Sequence, residues 1–145
     1  MSTTMPAQAR GRTPTFISAL LESRAFFLLA RIVLTLPFWM SGLAKLADFS
    51  GAQAEMAHFG LSPPMGVAIA TIITQLGGAA LVISGRHAWI GAGALAVFTL
   101  LTIPIAHPFW RMEGEIAMLE MFFVIEHIGM VGGMMLVALA CHRLR

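Results

Sequence analysis

The sequence predicts an all-α integral membrane protein, a four-transmembrane-helix bundle with both termini cytoplasmic. Three observations lead there. Hydrophobic residues make up 58% of the 145 residues and charged residues 11%, against about 25% charged in soluble domains. Such a chain has too little polar surface to cover a water-exposed monomer. Two stretches carry no Asp, Glu, Lys or Arg: thirty residues over 56–85 and twenty-four over 87–110. Each exceeds the roughly 20 apolar residues that cross a bilayer. Finally, arginines gather on one side of the apolar segments, as the positive-inside bias requires of cytoplasmic loops.

Residues 1–24 are predicted as a mobile cytoplasmic tail, its first part rich in Ser, Thr, Pro and Arg. The tail does not read as a signal peptide, because the apolar stretch after it is long and no small-residue cleavage site follows. Residues 25–141 form the membrane domain, with spans at about 25–46, 64–85, 88–106 and 116–141. Helices are expected, since backbone in hydrocarbon must satisfy its own hydrogen bonds. The alternating ten-residue segments of a membrane barrel are missing. Pro37 and Pro104 fall inside the first and third spans and should kink them.

Arg10, Arg12, Arg24, Arg86, Arg143 and Arg145 lie on the side of the termini. The other side has Lys45 and Arg111, offset by Asp48, Glu55, Glu113 and Glu115. This places the chain as a multi-pass protein of the inner (plasma) membrane. The net charge of +2 follows from that bias and points to no nucleic acid. A lone thiol, Cys141, rules out an internal disulfide or a CxxC redox pair.

One set of short pieces, taken together, resembles the DoxX family. It comprises Arg31–Ile32–Val33–Leu34, then Phe38–Trp39–Met40–Ser41–Gly42–Leu43–Ala44–Lys45–Leu46 and Phe49. Gly60–Leu61–Ser62–Pro63, Gln75–Leu76–Gly77–Gly78, His107–Pro108–Phe109–Trp110 and Gly132–Gly133 follow in order. The resemblance covers about residues 31–139 and implies a small four-helix membrane protein. It further implies association with quinone-linked oxidoreductases, after which some members are named. Two positions depart from the family pattern. Gln75 stands where many members have Glu, and Glu126–His127 where many have Lys–Asn.

Charges at membrane depth are the most informative residues, because each costs about 2.5–3.5 kcal/mol at a helix centre. Arg31 lies about 9 Å into the first span and Glu126 about 15 Å into the fourth, at 1.5 Å per residue. Their Cα atoms would then differ in depth by roughly 6 Å in a 30 Å core. With Gln75 near the middle of span two, Arg31, Gln75, Glu126 and His127 form a candidate buried polar cluster. It reads either as a structural clasp or as a quinone, proton or substrate site. Glu120 and His127, seven residues apart, share a helix face, and Glu126 is turned about 100° away. A second candidate is an outer-side polar pocket of Lys45, His107, Glu113 and Glu120. Lys45 would reach the outer interface and pair with Asp48 or Glu55.

No metal site is expected, since no HxxxH or HxxE spacing puts two ligands on one helix face. The methionines around span four read as flexible apolar filler rather than copper ligands. Two small-residue ridges, Ala70/Thr74/Gly78 and Gly129/Gly133, should let helices approach closely.

These features lead to an inner-membrane accessory subunit of a quinone-linked membrane oxidoreductase. The alternative is a non-catalytic protein that assists assembly or stability of another complex. The chain has no intrinsic cofactor motif, so a quinone or a partner subunit would carry electrons. Partners are the lipid bilayer and either redox-complex subunits or further copies of the chain.

Overall fold

The computed structural model describes residues 13–143, which are helical with no strand among them. Seven α-helices follow in order: α1 Thr15–Leu21, α2 Arg24–Leu34, α3 Leu36–Ala47, α4 Phe49–His58, α5 Pro64–Ser84, α6 Ala88–Ala106 and α7 Gly114–Arg143. A 3-10 turn, Phe109–Arg111, leads into α7. Of the segment predicted as a tail, residues 1–12 lie outside the described residues and α1 occupies part of the rest.

Helices α5, α6 and α7 are each long and apolar enough to cross a membrane. Helices α2 and α3 together pass the same test but meet at 54°, so they make a fourth, broken candidate span. The cause of the break is local. Pro37 lies in the first turn of α3 and has no backbone N–H to continue the α2 ladder. Backbone N–H groups at the α2 C-cap still reach Arg31 O and Val33 O, and side chains add further donors at the break. The Thr35 hydroxyl donates to Arg31 O at 2.8 Å and lies 3.3 Å from Ile32 O, and the Trp39 indole N–H donates to Ile32 O at 3.3 Å. Thr35 is fully buried, as a polar group with this task inside a membrane must be.

The bend directs α3 onto α5, which also packs against α4, α6 and α2 and so stands at the centre of the bundle. Helix α7 packs mainly on α6, and touches α2 to a lesser extent. The main core joins Phe38, Val82, Leu95, Met134, Val137 and Cys141. A smaller one, Ala52, Met56 and Ala68, glues α4 to the start of α5. Helix α4 has no counterpart among the expected elements, because its polar sequence lacks the long apolar run that marks a span. It starts at Asp48, whose Oδ1 accepts from the Gly51 backbone N–H at 2.8 Å and the Ser50 hydroxyl at 2.9 Å. Gly51 and then Ser50 favour the ionised carboxylate and hold Asp48 below its usual 3.8. The cap therefore contributes in full above that value and is lost as pH falls through the lowered one.

Glycines set the closest helix approach. A Cβ on Gly91 of α6 would lie 2.5 Å from Gly78 O and 2.8 Å from Leu81 Cβ. The span-two ridge thus meets α6 only at Gly78, while Ala70 and Thr74 face a cavity described below. Gly133 of α7 approaches Leu34 of α2, with 2.8 Å left for a Cβ, whereas Gly129 faces open space. Gly91→Val should cost about 1–3 kcal/mol through overpacking and lower the detergent melting temperature. Gly93→Ala, with nothing within 4 Å, should leave it unchanged.

Candidate functional site

The end of α3 and the start of α4 place Lys45 and Glu55 across from each other. Lys45 Nζ lies 2.8 Å from Glu55 Oε2 and donates to Ser41 Oγ at 3.3 Å. Ser41 Oγ also accepts from Gln75 Nε2 at 3.2 Å, so a polar chain runs Gln75–Ser41–Lys45–Glu55. Of the two carboxylates expected to compete for Lys45, Glu55 takes it and Asp48 caps α4 instead. The lysine side chain is 14% exposed and that of Glu55 42%. The ammonium is consequently held in place while its partner stays wet.

Beside this pair lies a partly open cavity of about 290 Å³ between α4, α5 and α6. Its walls are apolar: Met56, Phe59, Leu61 and Val67 on one side, Phe98, Leu101 and Ile105 on the other. Thr71, Thr74 and Thr102 also line it, the last with its hydroxyl donated to Thr99 O at 2.7 Å, and Lys45 and Glu55 sit on its lining. An apolar slot with a few placed polar groups suits a small lipophilic ligand with a polar head. Sequence reasoning missed this cavity. The signal lay in the Thr71/Thr74 spacing and in Lys45, but no pattern on one helix shows what another helix brings opposite.

The expected cluster of Arg31, Gln75, Glu126 and His127 does not form. Arg31 goes to the end of α5, where Nη1 donates to Val82 O at 3.4 Å and the guanidinium lies 4.8 Å over the Phe27 ring. Val82 O also accepts the Gly85 backbone N–H at 3.2 Å, and the negative dipole end of the helix favours a cation there. Gly85, at φ 74°, leaves the room: any Cβ there would meet Arg31 Nη1. Gln75 is buried and serves Ser41. Glu126 is exposed on α7 and makes no hydrogen bond or ion pair among the described residues. The reason is the 100° turn per residue: with His127 facing α6, its neighbour cannot.

The expected outer pocket of Lys45, His107, Glu113 and Glu120 is likewise divided. Lys45 belongs to the cavity. His107, at the end of α6, has Nδ1 2.6 Å from Glu120 Oε2, and its ring lies 4.8 Å from that of His127. His127 Nδ1 is 2.7 Å from Phe123 O, one turn back on α7. The shared face of Glu120 and His127 is therefore the face that grips His107. Glu113 is exposed and joins neither group. No group of three or more His, Cys, Asp or Glu among the described residues is arranged to hold a metal ion.

The His107 and Glu120 side chains are 21% and 19% exposed, so removing one strands the other. Glu120→Ala should cost about 1–3 kcal/mol, the penalty for an orphaned, largely buried polar group. The detergent melting temperature should fall accordingly, while Glu113→Ala should not move it.

The comparisons with known proteins agree with a small membrane bundle. The chain is 30% identical over 112 residues to the inner membrane protein YphA of Escherichia coli (strain K12), covering 77% of this chain and 80% of the relative. No solved structure matches it. The apolar helices and this relative make it a multi-pass inner-membrane protein. The DoxX family model matches residues 26–108, which take in the broken first span, the Lys45–Glu55 pair and every wall of the cavity; the chain belongs to the DoxX family.

Proposed function

We propose that the protein is an accessory subunit of a quinone-linked membrane oxidoreductase that holds a quinone headgroup in the cavity between α4, α5 and α6. The observation that carries this reading is the cavity itself, an apolar slot of about 290 Å³ with a held ammonium at its edge. A quinone presents carbonyl oxygens on a flat apolar ring. The donors within the lining suit those oxygens: Lys45 Nζ at one end and the Thr71 and Thr74 hydroxyls on α5, whereas the Thr102 hydroxyl of α6 donates to Thr99 O. Phe59 and Phe98 offer aromatic faces to the ring, and the isoprenoid tail leaves towards lipid through the open side. When bound, the quinone supplies the electron-carrying chemistry. This chain's part is to bind and orient the headgroup and to keep water from it. Electron transfer then belongs to the partner subunit.

In the same reading, the α2–α3 pair crosses the membrane as one broken span, which gives four spans and puts both termini in the cytoplasm. The arginine bias and the length of the combined pair support this. Cysteine labelling checks it: Ser18→Cys should react from the cytoplasmic side and Ala57→Cys from the outer side. Reaction of both from one side would make α2–α3 a re-entrant hairpin instead.

Quinone binding is tested by purifying the full chain from membranes in mild detergent and measuring quinone per polypeptide in the lipid extract. A near-stoichiometric amount is expected from the unaltered protein. Leu101→Trp, which fills the cavity, should remove it with the melting curve retained. Lys45→Met should weaken retention about tenfold or more, since a hydrogen bond from a charged donor is worth about 1.5–3 kcal/mol. Quinone that stays bound in Leu101→Trp would overturn the site, and none in the unaltered protein would overturn the reading.

A further inference from the structure

One end of the bundle gathers arginines that no carboxylate of the chain pairs with. Arg31 reaches Val82 O and lies against Gly85, so α2 passes the end of α5 there. Arg24, seven residues earlier on α2, lies on nearly the same face about 10 Å further out, and Arg86 directly follows Gly85. The start of α6 and the end of α7 share this end, since Ala88 and Trp89 line a small crevice with Ala138, Cys141 and His142. Trp89 is exposed, and an indole so placed marks the headgroup level of a bilayer. Arg24, Arg86 and Arg143 are exposed and make no ion pair among the described residues, and the acid at this end is Glu22. The opposite end is acidic, with Asp48, Glu55, Glu113 and Glu115 against Lys45 and Arg111. Helix α1 adds an apolar surface beside the arginines. At 3.6 residues per turn, Phe16, Ile17, Leu20 and Leu21 span about 140° of its circumference, with Thr15, Ser18 and Glu22 opposite. Phe16, Leu20 and Leu21 are exposed, and α1 packs only lightly on α2. Ser23, extended, separates the two helices and accepts from the Phe26 N–H at 3.4 Å to cap α2.

We propose that this end of the bundle binds an anionic phospholipid, its phosphate held between Arg24 and Arg86 and its acyl chains under α1. Charge complementarity chooses the occupant. Guanidinium groups present paired N–H donors that match phosphate oxygens. A zwitterionic lipid brings its own ammonium to the same place, whereas an anionic lipid brings none. The negative dipole end of α5 would otherwise repel an anion, but Arg31 already occupies it. Helix α1, apolar on one side and polar on the other, lies in the plane of the interface as such helices do. Phe16, Leu20 and Leu21 then enter the acyl layer of the leaflet whose headgroups the arginines hold. The acidic opposite end offers an anionic lipid no such site. The inference is independent of quinone binding, because the cavity lies towards the start of α5 and the end of α6. It holds for whichever leaflet this end faces.

The test uses the full chain in mild detergent with equimolar phosphatidylglycerol and phosphatidylcholine of identical acyl chains, and native mass spectrometry to count each bound lipid. The unaltered protein should favour phosphatidylglycerol. Arg24→Gln with Arg86→Gln should cut that preference about 25-fold, at about fivefold for each basic residue near the headgroups, with the melting curve retained. Arg24→Lys with Arg86→Lys should keep most of it, and Arg111→Gln at the other end should keep all of it. In phosphatidylglycerol vesicles, a nitroxide on Leu20→Cys should be shielded from an aqueous nickel chelate and one on Ser18→Cys should be open to it. Equal binding of the two lipids by the unaltered protein would overturn the proposal. So would a preference that survives the double Gln variant or falls as far in Arg111→Gln, or a Leu20 nitroxide as open to the chelate as that on Ser18.

Discussion

A proline in the first candidate span removes one backbone donor, and the rest of the architecture follows from how that loss is made good. In water a carbonyl without a backbone donor at such a break would simply hydrate. In hydrocarbon it needs a donor from the chain itself, and at Ile32 O the Trp39 indole N–H and the nearby Thr35 hydroxyl supply it, while cap backbone N–H groups hold Arg31 O and Val33 O. Across the 54° break α3 packs on α5, while α2 touches both α5 and α7. Two consequences appear on opposite sides of the molecule. On one, α3 and α4 bring Lys45 and Glu55 to the edge of an apolar slot. On the other, α7 is left with a bare carboxyl.

Polar groups elsewhere obey the same constraint. Arg31 finds the carbonyl end of α5, His107 finds Glu120, and Gln75 finds the hydroxyl that also receives Lys45, although Arg31 Nε and Gln75 Oε1 stay buried without a partner. Each is a short, local solution, and none requires a charge to reach across the bundle. One large clasp would have buried Arg31 and Glu126 together, and a buried ion pair often fails to repay its desolvation. Distributed pairs and helix-end contacts avoid that cost.

The membrane class, the boundaries of α5 and α6 and the presence of a break near Pro37 were legible in the sequence, because run length and proline chemistry act within a single segment. The common face of Glu120 and His127 was legible for the same reason. Depth arithmetic failed for Arg31 and Glu126. Equal depth does not imply a common azimuth, and the bend at Thr35 changes which helices are neighbours at the level of Glu126. Helix α4 escaped notice because its polar composition resembles a loop, although Asp48 and Gly51 already form its cap. The cavity was invisible for a deeper reason: its walls come from three helices brought together by contacts between separate elements, Gly78 against Gly91 for α5 and α6 and Ala52 and Met56 against Ala68 for α4 and α5.

The central claim is that the slot beside Lys45 receives a quinone headgroup, and photoaffinity labelling tests it most directly. A quinone bearing a photoreactive ring substituent, added to the protein in lipid and mapped by peptide mass spectrometry, should label Phe59 or Phe98, with excess natural quinone suppressing the signal. Labels confined to lipid-facing positions such as Ile125 and Leu136, or unaffected by competition, would contradict the account.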